Sequence, residues 1–280
     1  MTIKFELRDI NLAVSSSDKG GVGKTFIAQM FGDILRTDSS FKYATALIDG
    51  DEKVRKFIER FGSRDAGGDL LDPSENDALA GCRLVDLRSM DNSSAEIMNV
   101  MESGAKRILI DGAGGSETNY GKLLRPTAKP EEFTEFMADE GISANFITPI
   151  VPDDDSTILS VAQLYGKYKG DTGVFFTVVL NRWSGDLDGQ DPHFADWMNS
   201  KTRKAMIEAG NMAEIKVSAV YEDVMAKVRD CPVPFSVLSD KDHGQALGID
   251  MRTRRAIKNA RAEVIQQIQA HPVLKEIVGL

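Results

Sequence analysis

Cysteine and histidine are scarce in this sequence: two cysteines, Cys82 and Cys231, and three histidines among 280 residues. The cysteines stand far apart and the histidines are scattered, so neither a disulfide framework nor a zinc or haem site has the spacing it needs. Such thiol usage suits a reducing cytoplasm. No apolar run approaches the ~20 residues of a membrane-spanning helix. The opening stretch, Met-Thr-Ile-Lys-Phe-Glu-Leu-Arg-Asp, mixes charges without a signal-peptide core, so a cytoplasmic location is expected. Positive charge is not in excess either. A net charge of −9 argues against a generally basic nucleic-acid coat and leaves room only for a local patch. Internal repeats, low-complexity segments and a composition break marking a domain boundary are all missing, so residues 1–280 are expected to form one domain. What remains is ordinary globular material, 42% apolar and 28% charged, with length enough for a substantial core.

The chain is organised around one stretch, Val14-Ser-Ser-Ser-Asp18-Lys19-Gly20-Gly21-Val22-Gly23-Lys24-Thr25-Phe26. A short apolar run at 10–14 precedes it and an apolar-periodic segment at 26–35 follows. Strand, glycine-rich turn and helix in that order form the setting of a phosphate-binding loop. Glycines remove the side chains that would keep the backbone from closing round phosphates, so successive N–H groups can point inward. The helix then starts under the phosphates with its positive dipole end. Lys24 reaches the β- and γ-phosphates and the Thr25 hydroxyl ligates Mg²⁺ in such a loop. The usual pattern has glycine where this chain has Asp18, and a second lysine, Lys19, stands ahead of the glycines.

Further strands are expected at 44–48, 83–87, 107–110, 145–150, 174–180 and 215–220. Helices are expected at 52–61, at 94–102 with Ser93 or Ser94 as cap, at 130–140, 156–168 and 195–209, in a short piece ending at Arg229, and at 249–269. Pro149 and Pro152 are expected to bracket a turn. Strands alternate with helices, and several strands are apolar without alternation. That pattern predicts an α/β fold: a mostly parallel, doubly wound sheet covered by helices on both faces, as in P-loop nucleotide hydrolases.

Parallel sheets of this kind place ligands at the carboxyl ends of their strands. Asp111 ends the strand at 107–110 and is positioned to hold Mg²⁺, directly or through water. Gly112, Gly114 and Gly115 behind it would let the loop move with the γ-phosphate. Asp49 and Asp51 end another strand, where Asp51 could also cap the following helix. Asn181 ends a third. The guanine-reading pattern Asn-Lys-x-Asp is missing, because the chain reads Asn181-Arg182-Trp183-Ser184, and ATP is favoured over GTP.

The sequence Lys19-Gly-Gly-Val-Gly-Lys24-Thr25 resembles the deviant Walker A loop of the ParA/MinD family of ATPases. The resemblance follows the element order over most of the chain and is specific at the loop, Asp51, Asp111 and Asn181. It implies that Lys19 reaches across a homodimer interface to the partner's nucleotide, that Asp51 positions the attacking water, that Asp49 supports the magnesium shell with Thr25 and Asp111, and that Asn181 contacts adenine. Lys19, Lys24 and Asp51 then form the catalytic set, and residues 19–26 (Lys19, Gly20, Gly21, Val22, Gly23, Lys24, Thr25 and Phe26) bind the nucleotide. The chain departs from the family in three places. Glu52 stands where relatives often have proline, and Phe26 replaces a hydroxyl residue, leaving the α-phosphate to backbone donors. Val220-Tyr221 occupies the place of a proline that packs on the base, with Tyr221 as a candidate for stacking on adenine.

The resemblance implies an ATP- and Mg²⁺-dependent dimer acting as a timed switch with a stimulating adaptor or cargo protein. DNA or plasmid segregation is the leading role, and positioning of another cargo, such as conjugation or cell-division machinery, comes next. Metal-cluster ATPases of the group use paired cysteines that this chain lacks. A small-molecule kinase or synthetase using the same loop is the rival from another class. Residues 251–280 carry six basic against two acidic side chains. On one helix, Arg254, Lys258 and Arg261 would share a face able to touch DNA non-specifically, while Ile257, Val264 and Ile268 pack on the sheet. The closing residues 273–280 lack the basic-aromatic amphipathicity of a membrane anchor.

Overall fold

The computed structural model describes residues 5–17, 19–73, 76–88, 90–114, 129–184 and 191–280. Seven strands form one parallel sheet: β1 (Ile10–Ser15), β2 (Thr45–Asp49), β3 (Arg83–Leu84), β4 (Arg107–Asp111), β5 (Ile142–Ile150), β6 (Val174–Trp183) and β7 (Met212–Ser218), in the order β3-β2-β4-β1-β5-β6-β7. The fold is the α/β, doubly wound architecture that the alternation of elements predicts. Its strands read as unbroken apolar runs because both faces are covered. Leu12, Val14, Ile108, Ile110, Phe146 and Phe176 belong to one core layer, and Ala13, Leu109, Ile147, Phe175 and Val179 to the other.

The first layer is closed by α3 (Met90–Glu102), α4 (Pro130–Asp139), α5 (Asp155–Tyr168), α6 (Ala195–Asn199) and α7 (Lys201–Ala209). The second is closed by α1 (Lys24–Thr37), α2 (Lys56–Phe61), α8 (Glu222–Asp230), α9 (Phe235–Ser239), α11 (Met251–Ala270) and α12 (Pro272–Val278), with α10 (Lys241–Ala246) packed beside α9 and α11. Each βα step carries the chain over one face, and β1 marks the change of direction. Strands β2 to β4 lie to one side of it and β5 to β7 to the other. Crevices at such switch points, at the carboxyl ends of strands, are where sheets of this class take ligands.

Several boundaries differ from the sequence reading, for local reasons. Residues 52–54 form a turn rather than the start of α2, because Arg55 sits at φ 53° and breaks helical continuity. α3 starts at Met90, so Ser94 lies inside it and does not cap it. Pro149 lies within β5 and pairs with Val179 of β6, while pairing of β5 with β1 ends at Ile147. The missing N–H of Pro149 therefore faces the side where no ladder remains. β6 runs past Asn181 to Trp183 through an irregularity at Arg182, whose φ is 67°. The expected helix at 195–209 is two, because Ser200 leaves helical angles and its hydroxyl accepts from Arg203 N–H to cap α7. α9, α10 and α12 are short and were not expected from periodicity.

α11 is tied to the helix that follows the glycine loop. Asp33 of α1 is fully buried; it receives Arg261 Nε at 2.5 Å and both the backbone N–H and the hydroxyl of Ser236 in α9. Arg261 also pairs with Asp38. Replacing Asp33 by alanine leaves a largely buried guanidinium short of its main partner and strips the Ser236 N–H of its acceptor. We expect Asp33→Ala to cost about 3 kcal/mol in urea unfolding with an unchanged m-value. A loss below about 1 kcal/mol would mean that this junction is only surface decoration.

Candidate nucleotide-binding site

The loop between β1 and α1 is closed by its own chemistry. The Ser15 hydroxyl donates to the Lys24 carbonyl at 3.1 Å, pinning the first turn of α1 to the end of β1. Lys24 Nζ turns back over the loop and donates to the Lys19 carbonyl at 2.6 Å. Gly21 and Gly23 hold φ of 77° and 93°, values that side chains make costly. At Gly23 space is short as well, since a Cβ there would stand 2.4 Å from Asn181 Nδ2. Among the described residues nothing lies within 4 Å of a Cβ at Gly20 or Gly21, so on that side they leave the loop open. Val22 is buried beneath it. Phe26 sends its ring away from the loop onto Phe235, with centroids 5.5 Å apart, so this residue can offer a phosphate only its backbone N–H. The side chain that replaces the expected hydroxyl thus serves the core. Asp18 and Gly115 lie outside the described residues.

Three strand ends converge beside the loop. Ser15, Asp111 and Asp49 are register partners across β1, β4 and β2. Asp111 is buried, and one of its oxygens has no hydrogen-bond partner among the described residues. Burial, with the Asp49 charge adding to it, pushes the Asp111 carboxyl up to about 8, against the opposing pull of the Thr25 hydroxyl and of Lys24. Gly114 comes close to the same lysine: a Cβ there would lie 3.8 Å from Lys24 Nζ. These residues fit Mg²⁺ in its usual setting, one or two protein oxygens completed by phosphates and water. Among the described residues no group of three or more histidines, cysteines or acids could hold a metal without a ligand's help.

Asp49 is occupied differently from the expectation. Its Oδ1 accepts from Asp51 N–H at 3.0 Å, and its Oδ2 from Phe57 and Ile58 N–H at 3.1 and 2.9 Å. Burial pushes it up to about 6 despite these three donors. It is therefore Asp49 that caps α2, while the Asp51 carboxylate accepts from Lys53 and Val54 N–H in the preceding turn. Asp51 also receives a two-pronged contact from Arg88, Nη1 to Oδ1 at 2.7 Å and Nη2 to Oδ2 at 3.1 Å. Burial alone would raise the Asp51 pKa; Arg88 and the turn donors bring it below the ordinary carboxylate value.

The remaining expected residues are reached with different results. Asn181 Nδ2 donates to the Val22 carbonyl at 2.8 Å, so the strand end expected to read the base also fastens the loop. Lys19 pairs with Asp154 of the same chain, at the N-terminus of α5, rather than projecting freely. Tyr221, 69% exposed ahead of α8, carries the Arg252 guanidinium 5.0 Å from its ring centroid. The basic face expected on α11 does not form as a set. Arg261 is drawn into Asp33 and Asp38, and Arg254 lies along Gly244 and donates to the Lys241 carbonyl. Both flank the buried stripe of Thr253, Ile257, Ala260, Val264 and Ile268, one turn from Ile257 on either side, so they meet neighbouring helices. Lys258 is exposed as expected, alongside Arg252 and Arg255. Sequence reasoning missed Arg88 and Asp154. Nothing local marks either one, since their partners are 37 and 135 residues away.

No protein-family model matches the chain, and no curated protein sequence is significantly similar to it. Solved structures are. A plasmid partition protein from Borrelia burgdorferi is similar over 93% of this chain and 100% of its own, at 12% identity and a TM-score of 0.44. A structure from that organism described as a putative plasmid partition protein, bound to AMPPNP, is similar over 94% and 99%, at 12% identity and a TM-score of 0.43. An ATP complex of McdA from Cyanothece is similar over 92% and 97%, at 13% identity and a TM-score of 0.47. These are likenesses in the arrangement of elements; the reading of the site rests on this chain's own residues.

Proposed function

We propose that this protein is an ATPase that works as a dimerising switch: Mg²⁺ and ATP close two copies face to face, and hydrolysis releases them, in plasmid or DNA partition. The observation that carries the reading is the buried Asp111 carboxylate, with one unpartnered oxygen and with the Thr25 hydroxyl and Lys24 beside it. A carboxyl so deprived of water keeps its proton near neutral pH and gives it up when a cation is bound beside it, and a glycine loop opening into a helix N-terminus is built for the phosphates that bring one.

Lys24 and the backbone N–H groups of the loop hold the β- and γ-phosphates, with Thr25 and Asp111 as the oxygen donors to the metal and Asp49 supporting them. Mg²⁺, when bound, neutralises charge on the phosphate oxygens. Asp51 aligns a water for attack on the γ-phosphorus. As the new P–O bond forms, the bond to the β–γ bridging oxygen breaks, that oxygen leaves with ADP, and the water's proton is released with orthophosphate. Lys19 acts in trans after leaving Asp154, and Asn181 and Tyr221 flank the base. No helix among the described residues is long and apolar enough to cross a membrane, and the last helix, α12, buries Leu274, Ile277 and Val278 in the core. On this reading the exposed Arg255 and Lys258 of α11 meet a phosphodiester backbone, whereas Arg252 is held by Asp223 and the Tyr221 ring.

The test separates binding from turnover. Asp51→Ala is expected to bind ATP, lose hydrolysis about a hundredfold and accumulate as a dimer on size exclusion. Lys19→Ala is expected to bind ATP as a monomer and to lose both dimer and hydrolysis. Normal turnover by either variant removes that residue from the catalytic set.

DNA is tested by ATP-dependent binding to non-specific duplex across a salt series. Joint replacement of Arg255 and Lys258 by alanine should weaken binding about tenfold and reduce the log–log salt slope by roughly two. Binding to liposomes without binding to DNA would move the cargo from nucleic acid to membrane.

A further inference from the structure

Asp51, on which hydrolysis depends in the reading above, is already engaged. Its Oδ1 accepts from Arg88 Nη1 and from two backbone N–H groups, and its Oδ2 accepts from Arg88 Nη2. A carboxylate has about four acceptor sites, so little capacity is left for orienting a water, and that remainder is weakened by a guanidinium on both oxygens. The contact is not a chance meeting of two surface chains. The segment carrying Arg88 is fastened to the segment carrying Asp51 through the backbone, with Val85 N–H donating to Asp49 and Leu87 N–H to Gly50. Gly50 N–H in turn donates to the Asp111 carbonyl at 2.9 Å. A Cβ at Gly50 would stand 2.5 Å from the Leu87 side chain and 2.8 Å from the Asp111 carbonyl oxygen, so these segments pack closely there. The Asp51 side chain is 16% exposed and that of Arg88 35%, which keeps the pair half-shielded but able to open.

We propose that Arg88 is a restraining, positioning residue for ATP hydrolysis: it clamps the Asp51 carboxylate in an arrangement unable to present it to the attacking water, and turnover waits on the opening of this pair. The inference rests on the ATPase reading of the site. Arg88 does not touch the nucleotide in this scheme and acts only through Asp51. A slow basal hydrolysis, raised when a partner or the closing dimer draws Arg88 away, follows from it.

The experiment measures phosphate release and, on the same samples, affinity for a non-hydrolysable ATP analogue. Arg88→Gln is expected to raise kcat about fivefold, the factor that an ion pair of this exposure is worth, with KM for ATP and analogue affinity within about twofold of wild type. Arg88→Lys keeps the charge but loses the two-pronged geometry, and a smaller rise of about twofold is expected. In an Asp51→Ala background the Arg88→Gln change is expected to have no effect on the residual rate, which a merely structural role for Arg88 would not give. Should Arg88→Gln fail to fold, the lysine variant decides. A kcat at or below wild type in the folded variants, with analogue affinity intact, overturns this inference alone. Wild-type protein that binds no analogue overturns the ATPase reading and this inference with it.

Discussion

The site depends on a constraint in which glycine and amide need each other. Asn181 can donate to the Val22 carbonyl only because Gly23 has no Cβ, and Gly23 can hold its left-handed angle only as glycine. That contact joins the end of β6 to the turn after β1, two strands away, and fastens the loop just before α1. The rest follows outward. α1 starts where the Ser15 hydroxyl meets the Lys24 carbonyl, Phe26 is turned into the core, and Asp33 farther along the same helix anchors α9 and α11. The helix bearing the loop is thus braced at both ends before any ligand arrives.

Buried charge is the second theme. The carboxyl edge of the sheet places Asp49 and Asp111 side by side in register, an arrangement that costs stability through desolvation and mutual repulsion. Asp49 is compensated by three backbone donors, whereas Asp111 keeps an oxygen unmatched among the described residues. Natural folds rarely leave such a group without use. Two lysines and an arginine surround this edge, each held within the chain: Lys24 by the Lys19 carbonyl, Lys19 by Asp154 and Arg88 by Asp51. Activity on our reading requires two of those contacts to exchange partners, which gives the protein a closed resting arrangement and a way to time its opening.

Much of this was legible in the sequence because it is local. The glycine spacing, the apolar run before it and the periodic run after it are short-range signals, and the loop lies where they put it. Asp111 and Asp49 were legible because an acid directly after a buried strand has one place to go in a parallel sheet. What was not legible is non-local. Arg88 and Asp154 reach their partners across strands that adjoin only in the folded sheet, and nothing in the residues around them distinguishes them from solvated charges. Arg254 and Arg261 were placed on an open face by helical spacing alone. The spacing was right, but those positions border the stripe set by Ile257, and α10 and α1 stand there. The broken helix at Ser200 and the turn at 52–55 escaped because capping and a single left-handed residue override periodicity.

The central claim is that the loop at residues 19–26 binds Mg²⁺-dependent ATP. Calorimetric titration of the purified protein with a non-hydrolysable ATP analogue, with and without Mg²⁺, tests it most directly, with Lys24→Ala as the paired sample. The account predicts one nucleotide per chain in the micromolar range, weakened without Mg²⁺ and lost in Lys24→Ala, whose melting transition stays near that of the wild type. Equal affinity in wild type and Lys24→Ala, or no binding by a folded wild-type chain, would contradict it.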